Sequence, residues 1–358
     1  MLRRTAQPNW RIIIRRRIEG MTEREPINWS LLGGLRFFLA TIVAFSHTLW
    51  FDIHSGLAVT ITSLGAKAAV VGFLLVSGFS IAASLDRDER HFYFRRFKRI
   101  YPLYFPAVLS AVVLQVWLGE YHLPNYTLVP AGWVAIVGNF LLVQTFLVQV
   151  ISYNGVLWSL AVEVSYYVLS PTLRRLPLVG LTILVAISAA FYLLPMRTDL
   201  GIAYTLLLKA NAVKYCWPFL FGFALYFNRS AWLFVGLLVL GTALVWTSEI
   251  NYERFAPLTF AISMIVIRGA QINLFPHWRT LEYLGDISYP LYVFQIPIYI
   301  FCYAAIGLTA PALLYGIAIV VAVVALELID VRLKIFLFKL QYPNLLAYYH
   351  RTRDRGRA

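Results

Sequence analysis

"LRFFLATIVAFSHTLWF" (residues 35–51) is an apolar run with one guanidinium near its start and one imidazole near its end. With the residues just before it, the run reaches the roughly 20 apolar residues that a helix needs to cross about 30 Å of hydrocarbon. Ten residues separate Arg36 from His47. On a helix the two therefore lie about 16 Å apart along the axis and on nearly the same face. A segment that only anchored the chain would need neither. An ionised group at the middle of a bilayer costs about 2.5 to 3.5 kcal/mol on insertion scales, so both residues are candidates for a site.

Outward from this stretch the chain keeps the same character. Of its 358 residues, 60% are hydrophobic and 13% charged, and the mean hydropathy is +0.70. Soluble domains run near roughly half apolar and a quarter charged. The expected fold is all-α, a polytopic membrane helical bundle of about ten transmembrane helices with one re-entrant or interfacial segment. Apolar stretches leave no room for a soluble domain. The expected organisation is a basic cytoplasmic tail over 1–28, a membrane domain over 29–340 and a second basic cytoplasmic tail over 341–358. Residues 1–28 lack the uninterrupted apolar core of a cleaved leader.

The 31 Lys+Arg against 17 Asp+Glu give a formal charge of +14, which in a soluble protein would suggest nucleic acid. Here the basic residues fall in short loops between apolar spans, so a nucleic-acid partner is not expected. Cys216 and Cys302 lie far apart within apolar segments, and neither a disulfide framework nor a metal site is expected.

If the basic clusters are all cytoplasmic, the number of crossings between successive clusters is even. Span 1 (31–51) leaves, span 2 (66–85) returns and span 3 (100–118) leaves again, which puts "GEYHLPNYTLVP" outside. Residues 131–150 and 156–173 then compete for one crossing. Because Arg174 and Arg175 belong inside, 156–173 is span 4 and 131–150 is the re-entrant or surface segment. Spans 5 to 10 follow at 178–195, 211–228, 231–247, 255–268, 287–306 and 311–329, with 200–210 as an amphipathic piece on the outer face. Both termini are then cytoplasmic.

Four polar stretches stand out. Arg36 can snorkel to the inner surface or mark a site. His47 can be a satisfied buried imidazole or a general base near neutral pH. In "FYFRRFKRIYP" (92–102), Arg96 and Arg99 share a helix face and suit phosphate oxygens, or serve as positive-inside anchors. In "NGVLWSLAVEVSYYVLSP" (154–171), Glu163 is a carboxylate two turns inside span 4, flanked at helix spacings by Ser159 and Tyr166. It pairs with His47 either for packing or for chemistry. In "LGDISYPLYVFQIP" (284–297), Gly285 and Asp286 read as a turn and cap for span 9, with Tyr289 and Tyr292 as an interfacial belt.

Together these stretches resemble the acyltransferase-3 family, integral membrane enzymes that O-acylate bacterial surface polysaccharides and related glycosides. The family's Arg or Lys, ten residues and His in its first span is matched by Arg36 and His47. Its "SGF" is matched by Ser77, Gly78 and Phe79, and its Arg-x-x-Arg with Ile-Tyr-Pro by Arg96, Arg99, Ile100, Tyr101 and Pro102. Its "LWSL-x-x-E" is matched by Leu157, Trp158, Ser159, Leu160 and Glu163, and its "LG-x-x-SY-x-LY" by Leu284, Gly285, Ser288, Tyr289, Leu291 and Tyr292. The chain departs from the pattern at Gln295, where the family often has histidine, and at Val164, where it often has a second glutamate. Gln295 cannot act as an acid or base near pH 7, and no chemistry is assigned to it.

The resemblance implies acyl-CoA, most often acetyl-CoA, as a donor substrate bound from the cytoplasm, with no permanently bound cofactor and no metal. It implies a saccharide or glycolipid acceptor and a place in the bacterial inner membrane. Arg96 and Arg99 would hold phosphates of CoA and Arg36 would guide the donor. His47 would take the proton of the acceptor hydroxyl, with Glu163 orienting the imidazole. Ser77, Trp158, Ser159, Tyr166, Ser288 and Tyr289 would line the pocket. The chain ends soon after span 10, so either the membrane domain acylates the acceptor alone or an extracytoplasmic partner protein completes the reaction. A secondary transporter of a glycolipid or small anion, with His47 and Glu163 as proton relay, is the alternative; the missing repeat symmetry speaks against it. A reporter fused after Arg175 is expected in the cytoplasm and one at Asn125 outside. An external Arg175 fusion would make 131–150 a span and invert every later assignment.

Overall fold

A computed structural model describes residues 27–52, 55–195 and 210–331. The two tails, apart from residues 27–28, and the expected outer segment 200–210, apart from residue 210, lie outside the described residues. In chain order the helices are α1 (Trp29–Thr48), α2 (Gly56–Thr62), α3 (Ala66–Arg87) and α4 (Phe92–Leu118). A hairpin of β1 (Tyr121–Leu123) and antiparallel β2 (Tyr126–Leu128) follows. Then come α5 (Trp133–Phe140), α6 (Leu157–Arg175), α7 (Leu178–Tyr192), α8 (Asn211–Lys214), α9 (Cys216–Phe227), α10 (Ala231–Thr247), α11 (Ala256–Gln271), α12 (Arg279–Ile306) and α13 (Pro311–Ala325).

The chain is a helical membrane protein. Among the described residues, α1, α3, α4, α12 and the stretch Pro311–Ile329 are long and apolar enough to cross a membrane, while α7, α10 and α11 are apolar but shorter. The eight residues of α5 rise about 12 Å, too little for that helix to cross alone. The backbone beyond α5 is irregular, and protein groups satisfy it. Asn139 Nδ2 donates to the Gln149 carbonyl at 2.9 Å, and Gln144 Nε2 donates to the Leu157 carbonyl at 2.9 Å.

Two helices begin earlier than the hydropathy suggests. α4 starts at Phe92, so Arg95, Arg96 and Arg99 stand on the helix itself and not in a loop before it. α12 starts at Arg279, so Gly285 and Asp286 are helical and do not form the expected turn and cap. Gly285 has a different use. A Cβ there would stand 2.4 Å from the Gly33 Cα, so the two glycines let α1 and α12 touch backbone to backbone. Without a hydrophobic drive between helices in lipid, such small-residue contacts are what permit close packing.

The α3–α9 seam is tighter still. A Cβ on Gly78 would lie 1.9 Å from the Phe219 carbonyl oxygen, and one on Gly222 would lie 1.9 Å from that of Leu75. Pro297 within α12 has no N–H to give the Val293 carbonyl. The fully buried Asn154 fills that place, donating from Nδ2 at 2.9 Å. At the outer end of α1 the hairpin turn closes over the last carbonyls, with Asn125 donating to Leu49 O at 2.9 Å from Nδ2 and to Trp50 O at 3.1 Å from its backbone.

Gly78→Val and Gly222→Val are expected to lower the midpoint of thermal unfolding in detergent and the yield of monodisperse protein, since overpacking costs about 1 to 3 kcal/mol or more. Gly316, where an added Cβ meets nothing within 4 Å, should accept valine with little change.

Candidate active site

Two cavities flank the middle of the bundle. The inner one, at the Arg36 end of α1, draws its lining from five helices: Arg36 on α1, Ser77 on α3, Arg96 and Arg99 on α4, Glu163 and Tyr167 on α6, and Ser288 and Tyr289 on α12. Ser77 Oγ donates to Glu163 Oε1 at 2.6 Å, and the Tyr167 hydroxyl donates to the same oxygen. Tyr289 ties α12 to α4 by donating to the Ile100 carbonyl at 2.8 Å.

The consecutive arginines of α4 divide by helix face. Arg95 turns back to close α3, donating to Asp88 Oδ2 at 2.5 Å and to the Ser84 carbonyl at 3.1 Å. Arg96 turns inward over the rings of Phe92 and Tyr167, 5.6 and 5.7 Å from their centroids. The Nε atoms of Arg36 and Arg96 are buried with no hydrogen-bond partner. Three guanidinium groups thus face one cavity against one lining carboxylate. Buried cations without matched acceptors are costly, and guanidinium forks suit phosphate. Such a lining can take an anion.

The outer cavity, about 1510 Å³ of empty space, is lined by His47 and by the aromatic rings of Trp50, Tyr126, Trp158 and Tyr252, with Lys67 and Glu253. His47 Nδ1 lies 2.8 Å from the Val43 carbonyl. A carbonyl only accepts, so Nδ1 carries the hydrogen, and in the neutral ring the lone pair is on Nε2. Trp50 meets the imidazole edge-on at 5.1 Å and itself stacks on Tyr126 at 4.2 Å. Lys67 Nζ sits over the Trp158 ring at 5.0 Å. Burial pushes the Glu253 carboxyl above its usual range.

Arg36, Ser77, Arg96, Arg99, Ser159, Glu163, Ser288 and Tyr289 come together around the inner cavity as the sequence pattern suggests. His47 and Trp158 lie elsewhere, on the outer cavity. The expected His47–Glu163 pair is not made. Glu163 accepts from Ser77 and Tyr167, while His47 bonds to its own helix. Tyr166 is also displaced from its expected place. Its hydroxyl donates to the Ala212 carbonyl at 2.7 Å and its ring packs on Phe219 at 5.0 Å, so Tyr167 takes the position beside Glu163. Beside the imidazole stands Gln295 instead, fully buried, with Nε2 donating to the Tyr292 carbonyl at 3.0 Å and Oε1 without a partner. The sequence pattern assigns no chemistry to Gln295, and no motif marks Lys67. A lysine in the first turn of span 2 was the available signal for the latter.

Comparison with known proteins agrees with this build. The model of the acyltransferase-3 family, described as an acyltransferase domain, matches residues 30–329. The acyltransferase MdmB of Streptomyces mycarofaciens is 37% identical over 155 residues, which are 40% of this chain and 39% of that protein. The chain therefore matches well under half the length of that relative. No solved structure matches the chain. With the family model running from the second residue of α1 to the end of the described helices, and with its motif residues gathered around two opposed cavities, the chain belongs to the acyltransferase-3 family.

Proposed function

We propose that the chain is an O-acyltransferase of the bacterial inner membrane that moves an acyl group, acetyl first of all, from acyl-CoA to a hydroxyl of a saccharide or glycolipid. In this reading the bundle crosses the bilayer about ten times, with both termini and the arginine end of α1 in the cytoplasm. The observation that carries the proposal is the opposition of the two cavities: three guanidinium groups, Arg36 of α1 among them, at one, and the imidazole of His47, on the same helix, at the other.

Arg96 and Arg99 take the phosphates of CoA by charge-assisted hydrogen bonds, and Arg36 draws the donor inward. The pantetheine arm then spans the roughly 16 Å along α1 that separates Arg36 from His47. His47 Nε2 takes the proton of the acceptor hydroxyl as its oxygen attacks the thioester carbonyl. The C–S bond breaks, and the departing CoA sulfur receives the proton from the imidazolium. The open Oε1 of Gln295 accepts from the ring while it is charged. That is the support which the sequence pattern assigned to Glu163. Glu163 instead steadies the guanidinium cluster. The aromatic walls of the outer cavity suit the apolar faces of a sugar ring.

Alanine at Arg96 or Arg99 should weaken binding of a non-hydrolysable acyl-CoA by about 1.5 to 3 kcal/mol, as measured by calorimetry, with lysine recovering only part because it loses the bidentate fork. His47→Ala should bind donor as the wild type does and stop turnover. Arginine variants that bind donor normally would return both residues to a topological role and remove the basis of the proposal. Glu163→Gln should alter donor affinity, as the arginine variants do. A Glu163→Gln protein with wild-type donor affinity and lost turnover would instead put the carboxylate back with the imidazole.

A further inference from the structure

The inner and outer cavities have two lining residues in common, Val70 on α3 and Tyr292 on α12. The wall between them is therefore one layer of side chains thick at this point. Tyr292 reaches across it. Its hydroxyl lies 2.6 Å from Ser159 Oγ, which lines the inner cavity, and 3.4 Å from the carbonyl of Val156, which lines the outer one. Phe73 meets the tyrosine ring edge-on at 5.4 Å. Val70 and Tyr292 are both buried.

We infer that Tyr292, latched to Ser159 and faced by Val70, is the gate through which the acyl thioester passes to His47, and that this gap selects acyl groups by their width. The inference rests on reading the inner cavity as the donor site. The local backbone makes the side chain the movable part. The Tyr292 carbonyl is held by Gln295 Nε2, and the next carbonyl, freed by Pro297, is held by Asn154. The ring, by contrast, is held through its hydroxyl, which meets Ser159 and the Val156 carbonyl, and by the edge contact with Phe73. A rotation about χ1 exchanges these contacts for an open seam and leaves the helix in place. Closed, the seam separates the cavity at the Arg36 end of α1 from the one at the His47 end. The thioester end of the donor enters lengthwise, so the gap discriminates cross-section: a narrow unbranched acyl group passes where a broad ring does not.

Alkylation of His47 tests this without an acceptor. In the intact protein, bromoacetyl-CoA (narrow) and 4-(bromomethyl)benzoyl-CoA (broad) each form an N–C bond to the imidazole as the C–Br bond breaks and bromide leaves, and peptide mass spectrometry reads the rate. Free bromoacetamide, which needs no donor site, reports the intrinsic reactivity of His47. Wild type should be labelled at least tenfold faster by the narrow probe than by the broad one. Tyr292→Ala should raise the broad-to-narrow ratio at least fivefold, and Val70→Trp should slow both probes at least tenfold, each rate taken at saturating probe and relative to bromoacetamide labelling of the same variant. An unchanged ratio in Tyr292→Ala overturns the gate, and decides alone if Val70→Trp does not fold. If bromoacetamide labels wild-type His47 but bromoacetyl-CoA does not, the donor reading fails first and the gate with it.

Discussion

The hydrogen bonds that Ser77 and Tyr167 give to one oxygen of Glu163 allow a carboxylate to sit beside three guanidinium groups inside an apolar bundle. A buried carboxylate needs donors, and a buried guanidinium needs acceptors or an anion. The two hydroxyls supply the first requirement, and that of Ser77 also ties α3 to α6. The second is met only in part within the protein, since the Nε atoms of Arg36 and Arg96 have no partner. That imbalance is what the proposed donor phosphates would answer. Loss of either hydroxyl would leave the charge of Glu163 under-solvated and loosen the wall on which Arg96 rests through the Tyr167 ring.

Backbone contact between helices brings these groups within reach of one another. Gly33 against Gly285 draws α1 to α12, and Gly78 against Gly222 draws α3 to α9. In lipid such close approach depends on small residues. The motif "SGF" is thereby explained residue by residue. Ser77 serves the carboxylate, Gly78 admits the neighbouring backbone and Phe79 fills the core beside Tyr226 and Trp29. Pro297 leaves the Val293 carbonyl for another element to answer, and Asn154 carries that bond into the region where the cavities meet.

Much of this was legible in the sequence, because apolar length, basic clusters and the spacing of Arg36 and His47 depend on local chemistry. Of the residues around the inner cavity, Arg36, Arg96, Arg99, Ser159 and Glu163 stand out as ionisable or hydroxyl groups in apolar helices, whereas Ser77, Ser288 and Tyr289 enter the pocket only through the family resemblance. The partner of His47 was not. Glu163 and His47 lie on different helices, and the packing of α6 against its neighbours decides which face of α6 meets which cavity. Tyr166 and Tyr167 stand three and four residues from Glu163, spacings that both fall near its face. Contact with Phe219 claims the first, and the carboxylate takes the second. The start of α12 was misread because glycine and aspartate resemble a turn when no neighbour is known, whereas the contact with Gly33 explains the glycine.

The central claim is that one ligand threads from the guanidinium cluster to the imidazole. A cryo-EM structure of the protein in nanodiscs with a non-hydrolysable acyl-CoA tests it most directly. Phosphate density within hydrogen-bond distance of Arg96 and Arg99, with the acyl carbon beside His47 Nε2 and the Tyr292 ring turned off the seam, is the expected result. Phosphates seated in the outer cavity against Lys67, with the inner cavity empty, would contradict the account.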